Sequence, residues 1–281
     1  MKKIIADAKQ LLVDVDLFKA PINPIEVCQK LDIIYDERAY TGFDGIFMAT
    51  ASKQLIGVSS NIKEQGRKYF TCAHEIGHYH YDLTNEGALI KCTRDDTGFG
   101  KQKLPEKEIR ANSFASELLM PQELFTKELN NQKPSWSVIE TLASKFGASL
   151  QATAHRFVRL SGHTCWLVVV KNGKLQRFTK ADHNDFAPDL NGTFKVPKTV
   201  PTDWQTTLAE SWLYSNKKTK GKELLYWPLR ENQYGESLVL LWDSDNSLLE
   251  DDYEEFEDDD GYGRDDDDRG GWGGMRWGSR R

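Results

Sequence analysis

The helical run from Tyr69 to Tyr81 contains His74-Glu75-Ile76-Gly77-His78, and no other stretch of the chain constrains its fold as strongly. In an α-helix, residues four apart stand one turn above each other, so His74 and His78 share a face and can grip one metal ion. Glu75 projects beside them, where a carboxylate can take a proton from a metal-bound water. The surrounding chain must bury this face and complete the ligand set.

Composition bounds what surrounds the motif. At 281 residues the chain is long enough for two compact domains, or one with appendages. Its net charge is −6, but the acid is concentrated near the end. From Asp243 onward there are 15 acidic and 5 basic residues, which leaves a weakly basic body of 28 acidic and 32 basic residues. Whole-chain charge therefore argues neither for nor against a nucleic-acid partner. Cys28, Cys72, Cys92 and Cys165 lie far apart, with no Cys-x-x-Cys pair, and read as free thiols in a reducing compartment. The first residues meet lysine and acid before any apolar run of signal-peptide length, and no stretch approaches a membrane span. The expected location is cytoplasmic, without a membrane partner.

Local patterns point to an α+β protein. Ile4, Ile5, Ala8, Leu11 and Leu12 recur at helical spacing, and Asn23-Pro24 announces a second helix. A short strand is expected around Ile33–Tyr35. Ile46–Met48 and Leu55–Val58 then form an antiparallel hairpin, which either offers a free edge to an extended peptide beside the metal helix or serves simply as core. Residues 82–104 show no clear period and read as a loop, and Pro105 opens another helix. Ser137–Val158 has the outline of a helix-turn-helix, with Gly147 at the turn. In a DNA-reading version Ser149, Gln151 and Thr153 would face the groove, although that face holds few basic residues. Packing against the catalytic body is the favoured use. After Gly162 the pattern becomes strand-like, with a hairpin turning at Asn172-Gly173 and a helix expected over Asp203–Tyr214. The division is a domain carrying the His-Glu-x-x-His helix over 1–130, a helix-turn-helix-like segment over 131–161, a small mixed C-terminal domain over 162–242, and a disordered acidic tail over 243–281.

A catalytic zinc usually takes three protein ligands and leaves a fourth position for water. A metzincin would supply a third histidine at position 84 and a glycine at 81, but the chain has Thr84 and Tyr81. His80 points to another side of the helix. A carboxylate on the following helix is the remaining solution, with Glu106, Glu108, Glu117 and Glu123 on offer. Glu108 is preferred because Asn112 shares its helical face and can hydrogen-bond a ligand imidazole. Tyr79, Tyr81, His80 or a residue of the 82–104 segment could supply the oxyanion donor.

Two blocks, Arg67-Lys-Tyr-Phe-Thr-Cys-Ala-His-Glu-Ile-Gly-His78 and Glu108-Ile-Arg-Ala-Asn-Ser-Phe-Ala-Ser-Glu-Leu-Leu-Met-Pro121, closely resemble the ImmA/IrrE family of zinc metallopeptidases. The likeness covers roughly residues 1–160. It departs at Tyr69, where Arg is frequent, and at Arg110, where an acidic residue is frequent. The resemblance implies a gluzincin-like site with His74, His78 and Glu108 on Zn2+ and Glu75 as general base. It also implies a regulatory protease that cuts a helix-turn-helix repressor in phage, mobile-element or stress-response circuits. The alternative is a non-proteolytic DNA- or protein-binding regulator with a structural or vestigial metal. Nothing in the resemblance extends to the region after Gly162.

Overall fold

The computed structural model describes residues 1–50, 52–84, 87–97, 104–197, 199–232 and 235–249. The expected tail lies outside these residues from position 250 onward. Its first residues do not. Asp243 and Leu248 are buried, and the Asp243 carboxylate accepts from the backbone N–H groups of Ser247 and Leu248.

The chain begins with α1 (Lys2–Asp14), which buries Ala8, Leu11 and Leu12 along one stripe. Helix α2 (Pro24–Lys30) starts as its sequence dictates, with Pro24 in the first turn and the Asn23 side chain accepting from the Ile25 N–H at 3.1 Å. Three strands follow: β1 (Ile34–Arg38), β2 (Gly45–Ala49) and β3 (Gln54–Ser59). The long helix α3 (Gln65–Asp82) contains the His-Glu-x-x-His motif. Next come β4 (Ala88–Cys92), the single turn α4 (Arg94–Thr97) and α5 (Glu106–Leu119). Helices α6 (Gln122–Leu129), α7 (Trp136–Phe146) and α8 (Leu150–Leu160) complete the helical part. The remainder is β5 (Cys165–Lys171), β6 (Lys174–Lys180), β7 (Gln205–Leu208), a 3-10 turn at Ala209–Ser211, β8 (Glu223–Pro228) and β9 (Glu236–Trp242).

The expected α+β class is what forms. In the first sheet the strand order is β1-β3-β2-β4, with the β2/β3 hairpin antiparallel as expected and β1 parallel to β3. Two sequence expectations fail here. Strand β3 has no free edge, because β1 and β2 occupy both of its sides; the edge strands of this sheet are β1 and β4. Nor is the 82–104 segment simply a loop, since β4 pairs along β2 from Ala88↔Ala49 to Cys92↔Gly45. Only five residues long, β4 exposes Leu89 and Lys91 while Cys92 is buried, so its short alternation left little signal.

Helices α7 and α8 are joined by a short turn, and that turn packs inward. Gly147 takes a left-handed φ of 63°, and Ser149 caps α8 through the Ala152 N–H. A Cβ on Gly66, at the start of α3, would lie 2.6 Å from the Ser149 nitrogen. Thr153 is fully buried, and Arg156 pairs with Glu117 at 2.6 Å while donating to the Met120 carbonyl. Ser149 and Thr153, two of the three groove-facing candidates, are thus used in capping and packing.

The second sheet is antiparallel in the order β6-β5-β9-β8-β7. Strand β5 is buried on both faces. Cys165 and Leu167 join the core of the helical part, while Trp166, Val168 and Val170 form a second cluster with Trp212, Leu224 and Leu241. Asn172 and Gly173 both take positive φ, as a type I′ hairpin needs. The helix expected over Asp203–Tyr214 is absent. Trp204, Leu208 and Trp212 imitate helical spacing, but Gln205–Leu208 pairs with β8, and Trp204 packs against Trp227 and Trp242 instead. No helix among the described residues is long and apolar enough to cross a membrane.

Candidate metal centre

Helices α3 and α5 lie against each other, and their facing sides carry most of the site. His74, Glu75 and His78 are completely buried on α3; Glu108 is buried on α5. The two imidazoles converge. His78 Nε2 lies 3.0 Å from His74 Nε2, and Glu108 Oε2 lies 3.1 and 3.3 Å from these same nitrogens. Of the four carboxylates considered from sequence, Glu108 is the one that reaches the histidines. Glu106 is exposed, Glu117 pairs with Arg156, and Glu123 pairs with Lys9.

The outer nitrogens explain why the inner ones point as they do. His74 Nδ1 lies 2.9 Å from Asn112 Oδ1, and the Asn112 amide donates to the Asp96 carbonyl at 2.7 Å. Since the amide nitrogen is used there, the oxygen faces His74 and accepts from Nδ1–H. His78 Nδ1 sits 2.7 Å from Asp82 Oδ2, and Arg110 pairs with the other oxygen of Asp82. Both rings therefore turn Nε2 lone pairs into one small volume.

Asp82 escaped the sequence reading, although its place four residues after His78 on one helix face is the signal for it. Cys92 escaped too, with no spacing signal to betray it. Its Sγ lies 3.4 Å from His78 Nε2 and 3.9 Å from Glu108 Oε2. Donor atoms of His74, His78, Cys92 and Glu108 all fall within 4.8 Å of one another, and all four residues are buried.

This donor set fits a metal cation. With both Nδ1 protons directed outward, two lone pairs and a carboxylate oxygen converge on one small volume, where a cation would separate them. A tetrahedral zinc with nitrogen, oxygen and sulfur ligands spaces its donors about 3.3–3.6 Å apart, close to the separations seen. Burial opposes ionisation of Glu108, yet hydrogen bonds from His74 and His78 hold its carboxyl well below the usual carboxylate range. Burial and the nearby Glu75 and Glu108 carboxylates push the Cys92 thiol far above its ordinary range, a repulsion that a bound cation would offset.

Glu75 has a different environment. Neither carboxylate oxygen makes a well-formed hydrogen bond. Burial raises it to about 7, with the His74 imidazole and the adjacent Cys92 thiol pulling it part of the way back. Gly45 on β2 makes room for it: a Cβ there would overlap Glu75 Oε1 and lie 2.7 Å from Thr71 Cγ2. The candidate oxyanion donors on α3 serve other contacts. Tyr81 donates to Asp7 at 2.7 Å, His80 stacks on Phe114, and Tyr79 packs edge-on to Phe47.

Residues 32–158 match the family model Peptidase_M78, described as the IrrE N-terminal-like domain. Among solved structures, the chain is similar to a Mycobacterium tuberculosis transcriptional regulator, with a TM-score of 0.57 and 13% sequence identity over 88% of this chain and 90% of that one. At that identity the likeness is one of fold. No curated protein sequence matches the chain.

Proposed function

We propose, from the match of residues 32–158 to the Peptidase_M78 model of the IrrE N-terminal-like domain, that the protein is a zinc-dependent metalloendopeptidase. His74, His78 and Glu108 hold the zinc, and Glu75 is the general base. The observation that carries this reading is Glu75 itself. A buried carboxylate with no well-formed hydrogen bond, raised to about 7 by its burial beside a converging ligand set, is poised to exchange a proton near neutrality. A structural metal site has no use for such a group.

Zinc bound there supplies Lewis acidity, which polarises the scissile carbonyl and acidifies the attacking water. The remaining work belongs to the protein. Glu75 accepts a proton from the attacking water and returns it to the departing amine nitrogen. Asn112 and Asp82 hold the imidazoles in the tautomer that presents Nε2 inward. The surrounding core excludes bulk water, which strengthens the field felt by the reacting carbonyl.

The substrate we infer is a specific regulator protein, a helix-turn-helix repressor. That the similar mycobacterial structure is a transcriptional regulator is compatible with a regulatory setting. Direct DNA reading through α8 has less support, because Ser149 caps that helix and Thr153 is buried. The test is to incubate the full chain, and its Glu75→Gln variant, with the product of an adjacent repressor-like gene. Metal-dependent cleavage by the wild type alone supports the proposal. Equal cleavage by both proteins would remove Glu75 from its role.

A further inference from the structure

We propose that Cys92 is a fourth metal ligand, so that the site in this conformation is closed and hydrolysis requires the thiol to withdraw. This rests on the metallopeptidase reading only in so far as a metal occupies the centre.

A hydrolytic site with three protein ligands leaves its fourth position to water. Here that position is filled. The Cys92 sulfur stands 3.4 Å from His78 Nε2 and 3.9 Å from Glu108 Oε2, fully buried, among donors that already suffice for a tetrahedron. A shell of two histidines, one glutamate and one cysteine is closed in the way structural sites are closed, yet Glu75 waits beside it with neither oxygen in a well-formed hydrogen bond. A complete ligand shell and an unengaged general base belong to two different states of one site.

The cysteine sits where a small movement would release it. It is the last residue of β4, which among the described residues is an edge strand hydrogen-bonded to β2. Beyond it the chain turns at once. The Thr93 N–H donates to Asp96 Oδ2 at 2.8 Å, and the Asp96 carbonyl accepts from Asn112, which orients His74. Cys92 and the His74 tautomer thus depend on one short turn. A substrate strand pairing with the outer edge of β4, or a thiol-reactive reagent, would act directly on the ligand that blocks water.

The experiment replaces the native metal in the full chain with Co2+ and records its absorption spectrum. The wild type is expected to show a thiolate-to-cobalt charge-transfer band in the near ultraviolet. Cys92→Ala and Cys92→Ser should lose that band while still binding cobalt, and Cys28→Ser, Cys72→Ser and Cys165→Ser should retain it. Azide is the probe of closure. It should shift the visible bands of the Cys92 variants, where a position is open, and leave the wild-type spectrum unchanged. Cobalt bound by wild type without a thiolate band would overturn the assignment while leaving the His74–His78–Glu108 site intact. Azide binding to a wild type that shows the band would overturn the closure. Failure of every protein to bind cobalt would sink the metal reading itself. Because the wild-type band is read without mutation, a misfolded variant does not rescue the idea.

Discussion

Gly77 and Ala111 set the distance between the two helices of the metal centre. A Cβ on Gly77 would stand 3.0 Å from the Ala111 Cα and 3.2 Å from its carbonyl oxygen. Backbone atoms cannot yield as a flexible side chain can. The glycine inside the motif therefore lets α5 approach closely enough for Glu108 to meet His74 and His78.

Gly77→Ala should accordingly destabilise the protein. Helix propensity favours the substitution by about 1 kcal/mol, but overpacking a tight contact costs about 1–3 kcal/mol, and the immovable backbone puts this site toward the upper end. The expected result is a lower Tm together with weaker metal binding, measured by calorimetry and chelator competition. An unchanged affinity would show that Glu108 does not depend on this approach.

Glu75→Gln removes the base but no ligand. Metal content, measured by mass spectrometry, should match the wild type, while cleavage falls by about 10²–10⁴-fold.

The two partners of the imidazoles give a graded series. Asn112→Ala and Asp82→Ala should each weaken metal affinity by about 10–100-fold, because the rings lose their preferred tautomer. Glu108→Ala, which removes a direct donor, should lose the metal under dialysis conditions that the Asn112 and Asp82 variants survive. Metal retained by Glu108→Ala would redirect attention to Cys92 as the principal third ligand.

Gly45→Ala tests the space around the base. Its methyl group would meet the Glu75 carboxylate and Thr71 Cγ2, and with the core closed around it Glu75 has little room to retreat. Activity should fall well below wild type with metal content preserved. A fully active variant would show that Glu75 need not occupy its observed position.

His155 predicts an acid-side instability remote from the metal. Burial, with the Arg177 and Arg159 cations adding to it, lowers this histidine from 6.5 to about 3, and its ring contacts Thr179. Below pH 6.5 the unfolded chain binds a proton that the folded chain refuses until about pH 3. The contribution to stability is thus complete above 6.5 and declines as the pH falls toward 3. His155→Gln should flatten the fall of Tm across that window, as followed by thermal melts at a series of pH values. An identical slope in both proteins would assign the acid sensitivity to other groups.

The sequence by itself determined the local geometry of the centre. Four-residue spacing on a helix put His74 and His78 on one face, and the same spacing put Asn112 one turn beyond Glu108. Capping by Asn23, Ser149 and Gly147 and the turn at Asn172-Gly173 were legible for a similar reason, since each is decided by residues that are neighbours in the chain. Tertiary structure decided the rest. Which of four carboxylates reached the histidines depended on how closely α5 could lie on α3 across Gly77. Trp204, Leu208 and Trp212 followed helical spacing, but pairing with β8 overrode it. Cys92 entered the site only because β4 pairs with β2, a segment more than forty residues earlier, and no local pattern encodes a contact over that separation.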